Sequence, residues 1–295
     1  MTQLIKSPNS VLEELVTQRS HEIKMLRQRE SEQLKHIEEK GQKQLQAFTA
    51  MLASENATLF QKLDFDREQQ VHKLEAEIQD IKAKLSAVVP IDIAAASPTL
   101  DAGLIPLTTW TLRPYYATVY GSDGSVYWKG YDPGNLDISD WASGSGTGLF
   151  GTGAGSFTVS IDWWFVFRPD TNRFYGFNIY VPYHGYYIVR SDDGFFTSKE
   201  AKVRIDLAAI GYQYNYKVGS STNVFDVSGD NIDVNSRLDG WRTMYYSTLF
   251  GGGDSAYLRV TTSNYVYARG GGSYAELNFA AGDANYIGVP IVYVS

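Results

Sequence analysis

Cysteine is absent from the 295 residues, so neither disulfides nor thiolate-ligated zinc hold the fold together. No run of about 20 apolar residues occurs, so the sequence predicts no membrane-spanning helix. The opening MTQLIKSPNSVLEEL lacks the apolar core of a secretory signal. The expectation is a chain made in the cytoplasm, carried on a particle or released by a non-Sec route if it acts outside a cell. Basic residues are outnumbered, 26 against 33, for a formal net charge of −7. An acidic protein has no overall attraction for phosphate backbones or anionic headgroups. Nucleic acid and membrane are therefore not expected partners.

Catalytic signatures are equally sparse. The sequence has no G-x-S-x-G elbow, no H-E-x-x-H and no P-loop, which removes common hydrolase, zinc-protease and nucleotide-hydrolase patterns. Beyond residue 90 there is one histidine, His184, and only two glutamates, Glu200 and Glu276. A glycosidase needs a pair of carboxylates at the scissile bond, and most aspartates here stand in turns, where Asp is favoured for backbone reasons. No catalytic residue is assigned and no enzyme is expected; a polysaccharide-acting enzyme is the one catalytic alternative.

Residues 1–89 lack Tyr and Trp, have no proline after Pro8 and only one glycine, Gly41. That is a helix-forming composition. Apolar residues recur every eleven positions. One column holds Leu12, Ile23, Leu34, Leu45 and Ile78; a second holds Leu15, Leu26, Ile37, Phe48, Leu59 and Ile81; a third holds Leu52, Leu63, Leu74 and Leu85. Eleven residues in three turns make about 3.67 per turn, a period that favours a straight or slightly right-handed bundle. Ser10 with Glu13 reads as a capping box, and Pro90 ends the helix. One rod over residues 12–85 would be about 110 Å long, with a stripe that a lone helix cannot bury. The segment reads as a homo-oligomeric coiled-coil stalk, with a trimer as the expected state. A lipid-seeking amphipathic helix is the alternative, although such helices carry a basic polar face and this one is charge-balanced.

Residues 90–108 contain three prolines and read as a semi-rigid neck. From residue 109 to 295 the period is two, with short turns rich in Gly, Asp and Asn, the mark of an antiparallel β-sandwich or jelly-roll head. In SFTVSIDWWFVF, Phe157, Val159, Ile161, Trp163, Phe165 and Phe167 share one face. In KVRIDLAAIGYQYNYK the apolar parity switches after Leu207, which predicts a β-bulge near Ala208 or Ala209. FNIYVPYHGYYIVR reads as a hairpin turning at PYHG, and TSN at 262–264 reads as a further turn.

The candidate binding residues are aromatic. The predicted hairpin offers Tyr183, His184, Tyr186 and Tyr187, and the C-terminal strands put Tyr257, Arg259, Tyr265, Tyr267, Arg269 and Tyr274 opposite an aliphatic face. Such rings stack on pyranose faces while polar neighbours read hydroxyls; Tyr and Arg suit a subunit interface equally well. No cofactor is required. Calcium is the one metal considered, at Asp226, Asp230 and Asp233 or at Asp132, Asp137 and Asp140, because it takes oxygen ligands from loops. The expected function is multivalent adhesion or recognition, a stalk presenting lectin-like heads to glycans or surface receptors. The alternatives are a fibre or particle subunit without a small ligand, and a membrane-active, toxin-like protein using the helix.

Overall fold

A computed structural model of the chain describes residues 10–55, 57–86, 110–121, 126–127, 135–143, 154–191, 199–280 and 285–295. Two helices come first, α1 (Ser10–Glu55) and α2 (Ala57–Ser86). The strands follow as β1 (Trp110–Leu112), β2 (Tyr116–Tyr120), β3 (Val126–Tyr127), β4 (Asn135–Ser143), β5 (Ala154–Phe167), β6 (Arg173–Ser191) and β7 (Glu200–Gln213). The rest are β8 (Tyr216–Gly229), β9 (Ile232–Phe250), β10 (Ala256–Arg269), β11 (Tyr274–Asn278), β12 (Tyr286–Gly288) and β13 (Ile291–Val294). The expected neck lies outside the described residues.

The strands make an antiparallel sandwich. A five-stranded sheet runs β2-β5-β10-β7-β8. An eight-stranded sheet is built around β6, which pairs along its whole length with β9. On its other side β13, β12 and β11 follow one another. Alternation decides the core: Val159, Ile161, Trp163, Phe165 and Phe167 of β5 point inward, as period-two patterning predicts, and meet Phe177, Ile179 and Val181 of β6.

Three local expectations are corrected. Residues 177–190 are not a hairpin but the middle of the 19-residue β6, so Tyr183 and His184 sit in mid-strand opposite Gly240 and Asp239. Proline is tolerated where a ladder is interrupted, and Pro182 lies where the neighbour of β6 changes from β13 to β12. TSN at 262–264 lies inside β10, with Thr262 and Asn264 fully buried. The bulge exists, but on β8: Val224 is the extra residue opposite the Ile205–Asp206 step. On β7 the inward set simply continues through Ala209 and Gly211, while Ile210 and Tyr212 are covered from outside.

That outer cover is α1. Leu12, Leu15 and Val16 pack on Tyr116, Trp164, Tyr212 and Tyr257 of the five-stranded sheet. At the other end of the helical segment, Glu77 and Lys82 of α2 bond to Arg190 and Glu276 of the eight-stranded sheet. The segment is therefore not one straight rod. At 1.5 Å per residue, Arg19 and Glu77 would stand about 87 Å apart, whereas a 19-residue strand spans only about 60 Å and both residues touch the sandwich.

The eleven-residue stripe is accordingly used in part within the chain. Leu12, Ile23 and Ile78 are buried, and Leu15, Leu34, Ile37, Phe48, Leu74, Ile81 and Leu85 are half-buried. Leu26 is exposed. The side chains of Leu45, Leu52, Leu59 and Leu63 lie outside the described set. Among the described residues no helix is long and apolar enough to cross a membrane.

Candidate functional site

The presumed C-terminal aromatic face is divided by the fold, because β10 and β11 belong to opposite sheets. On β10, Tyr257 and Arg259 are buried beneath α1, with the Arg259 guanidinium 5.7 Å from the rings of both Trp164 and Tyr212. Beside them the fully buried Asp162 accepts hydrogen bonds from Arg19 Nε at 3.1 Å and Thr261 Oγ1 at 2.5 Å. Tyr265 and Tyr267 line a cleft of about 410 Å³ between the sheet and α1, together with Ser160, Ser263 and Arg204. Burial pushes the Tyr212 and Tyr265 phenols up to about 12. Arg269 stands 3.6 Å from Glu200 across the strands. This face is covered by the chain's own helix, so it is neither an open platform nor bare for a second subunit.

The outer face of the eight-stranded sheet has two halves. Towards Ser191 it is polar. Tyr186 Oη donates to Glu276 Oε1 at 3.0 Å, Asn278 Nδ2 donates to the same oxygen at 2.9 Å, and Tyr274 Oη donates to Glu276 Oε2. Burial, and then the neighbouring Glu276 carboxylate, push both phenols well above their usual range. Next to this group His184 Nδ1 lies 3.4 Å from Asp239, which Arg237 also grips. Burial alone would raise the Asp239 carboxyl, but hydrogen bonds from His184 and Arg237 outweigh it and hold it at about 2. Tyr187 faces inward instead, against Phe225 at 4.9 Å between ring centres.

Towards Arg173 the same face is aromatic and open. Register places Trp241 opposite Pro182, Thr243 opposite Tyr180 and Tyr245 opposite Asn178 on β9 and β6, with Tyr293 of β13 on the far side of Asn178. Trp241 is 40% exposed and Tyr245 64%. The Trp241 and Tyr180 rings sit 6.1 Å apart. Gly176 lets Tyr245 lie across β6, since a Cβ there would stand 2.8 Å from the Tyr245 hydroxyl. Asn178, Thr243 and Ser247 supply amide and hydroxyl groups between the rings. At the tip, the cross-strand pair Phe174 and Leu249 is also exposed. None of these rings was singled out from sequence. The signal was present in WRTMYYSTLF, where Trp241, Thr243, Tyr245, Ser247 and Leu249 alternate with the core residues Met244, Tyr246 and Phe250.

The aspartates do not gather. Asp226 pairs with Lys202 at 3.2 Å and Asp233 stands 3.7 Å from Arg190, while Asp230 occupies the β8–β9 turn. Among the described residues no three His, Cys, Asp or Glu side chains come together as metal ligands. Asp132 and the side chains of Asp137 and Asp140 lie outside that set.

No known protein family and no curated protein matches the chain. Among solved structures it is similar to TmCBM61 in complex with beta-1,4-galactotriose, at 11% identity and TM-score 0.20 over 64% of this chain and 88% of that one. It is also similar to a family 35 carbohydrate binding module from an environmental isolate, at 14% identity and TM-score 0.15 over 62% and 95%. A third likeness is to bacteriophage CBA120 tailspike protein 4, at 9% and 0.18 over 63% and 19%. At these TM-scores the likenesses carry no argument about this chain's function.

Proposed function

We propose that this chain is a non-enzymatic recognition protein that binds glycans through the aromatic half of the eight-stranded sheet. The observation that carries the reading is the strip formed by the exposed Trp241 and Tyr245 with the half-buried Tyr180 and Tyr293, with amide and hydroxyl side chains between the rings. A folded monomer rarely leaves such a contiguous patch exposed without use. Flat rings match the apolar faces of pyranoses, and the interleaved Asn, Thr and Ser groups match their hydroxyls. The side chains between the rings, Asn178, Thr243 and Ser247, are uncharged, which suits neutral sugars. In this reading the helical segment multiplies the heads. Met25, Leu26, Met51 and Phe65 are exposed along it and supply an apolar surface for self-association, as a trimer. Linking weak heads raises avidity by about 10²–10⁴ without new contacts.

The test is a glycan array with the full chain, followed by titration of the best ligand against Trp241→Ala and Tyr245→Ala. Each substitution should weaken binding at least tenfold and leave stability within about 1 kcal/mol, because both side chains are exposed. Unchanged binding in both variants would remove the reading. A second reading, an assembly subunit without a small ligand, is favoured by the wholly apolar Phe174–Leu249 pair at the end of the strip. In that case Phe174→Ser should lower the mass measured by light scattering, and no glycan should bind.

A further inference from the structure

The polar half of the eight-stranded sheet holds a carboxylate that the sandwich itself does not neutralise. Glu276 is fully buried. Among the described residues of the sheet its oxygens receive only neutral donors, Tyr186, Tyr274 and the Asn278 amide. The cation comes from the helical segment. Lys82 Nζ of α2 lies 2.9 Å from Glu276 Oε2 and donates to Tyr274 Oη at 2.9 Å, with the ammonium 5.5 Å from the centre of the Tyr274 ring. A buried carboxylate and a phenol oxygen converge on one point. That pair selects an ammonium, since the carboxylate supplies charge and the hydroxyl accepts a second N–H.

Ile78 of α2 is buried and Leu74, Ile81 and Leu85 are half-buried, and further polar contacts join α2 to this sheet. Arg190 Nη2 meets Glu77 at 2.7 Å, and Arg237 Nη1 reaches the Leu85 carbonyl at 3.4 Å. The half-exposed Arg190–Glu77 ion pair contributes little. The ammonium is the contact that α2 makes with the fully buried carboxylate, and Ser86 of α2 adds a hydrogen bond to Tyr186.

We infer that Glu276, Tyr274, Tyr186 and Asn278 form a binding site for a primary ammonium group. Lys82 fills the site in the folded chain, and an amine-bearing ligand can take its place. The proposal does not depend on the glycan reading, because the aromatic strip occupies the other half of the face. It gives α2 a second role as a removable cover whose release would expose the polar half of the sheet. A tethered side chain acts at an effective concentration in the millimolar range, so a monovalent amine competes with Lys82 only at tens of millimolar, whereas a vacated pocket should fill at far lower concentration.

The experiment compares the full chain with Lys82→Ala and with Lys82→Ala/Glu276→Gln in thermal melts. The additives are n-butylammonium chloride, glucosamine and putrescine; the controls are potassium chloride, 1-butanol and N-acetylglucosamine. Lys82→Ala should melt lower than the parent and regain several degrees with an amine but not with its control. The amine needed should be at least tenfold less than any concentration affecting the parent, and Glu276→Gln should abolish the rescue. Glucosamine acting where putrescine does not would identify an amino sugar as the ligand class, and the reverse a polyamine. Equal responses to amines and controls would overturn the proposal. Should Lys82→Ala fail to fold, hydrogen exchange of residues 74–86 in the parent decides. Exchange must quicken with n-butylammonium relative to potassium chloride, and no difference sinks the idea.

Discussion

Replacing Arg19 by methionine removes the guanidinium that joins α1 to the five-stranded sheet while keeping a side chain of similar reach. Asp162 is fully buried and accepts one bond from Arg19 at 3.1 Å and one from Thr261 at 2.5 Å. Without Arg19 the carboxylate keeps only the hydroxyl, in a place that water reaches poorly. Removing one partner of a buried ion pair costs about 3–5 kcal/mol, because the other charge is left uncompensated. For a domain of this size about 2–4 °C of melting temperature corresponds to each kcal/mol, so Arg19→Met should melt about 6–20 °C lower. Replacing the pair together, as Arg19→Met with Asp162→Leu, removes the stranded charge. It leaves Thr261 without an acceptor, at about 1 kcal/mol or somewhat more, so the double variant should recover at least half of the loss. Urea denaturation of the four proteins in the cycle measures the coupling directly. A loss below about 1 kcal/mol in Arg19→Met would mean that Asp162 is hydrated and that α1 is not seated on the sheet, which would refute the reasoning.

Trp164→Ala empties the space between α1 and β5, where the indole is fully buried, and should cost about 3–5 kcal/mol by chemical denaturation. Gly185→Ala brings a Cβ within 2.3 Å of the Asn278 carbonyl and 2.5 Å of the Phe279 ring; it should destabilise by about 1–3 kcal/mol, which a thermal melt will register. The Asp239 carboxyl is held at about 2 against an ordinary 3.8. A depressed acid contributes stability that is present above the unfolded value and lost as pH falls through the folded one. About 2 kcal/mol should therefore disappear between about pH 4 and pH 2, and Asp239→Asn should remove that part of the acid limb. Leu26→Glu, on an exposed position of the helical stripe, should leave the melt nearly unchanged but lower the mass seen by light scattering if the helices join copies of the chain.

Composition and period determined by themselves that a helix-forming segment precedes a β-rich one and that alternate residues of β5 make the core face. These are local properties: a lack of Gly and Pro and an alternation of two are written in consecutive residues. Only the tertiary structure decided what covers each face. The switch in parity after Leu207 looked like a bulge in β7 because Ile210 and Tyr212 are apolar, yet they are buried from outside by α1 while the bulge falls at Val224 of the partner strand. PYHG looked like a turn because Pro and Gly mark turns locally, but the full pairing with β9 holds β6 extended through it. Tyr257 and Tyr245 are alike in sequence, each flanked by two core residues, Ala256 and Leu258 in one case and Met244 and Tyr246 in the other. One is shut beneath a helix more than 200 residues earlier in the chain, and the other lies open across Gly176. Periodicity reports that a face is apolar; whether a helix, a second sheet or solvent meets it depends on contacts between distant segments, which no local pattern records.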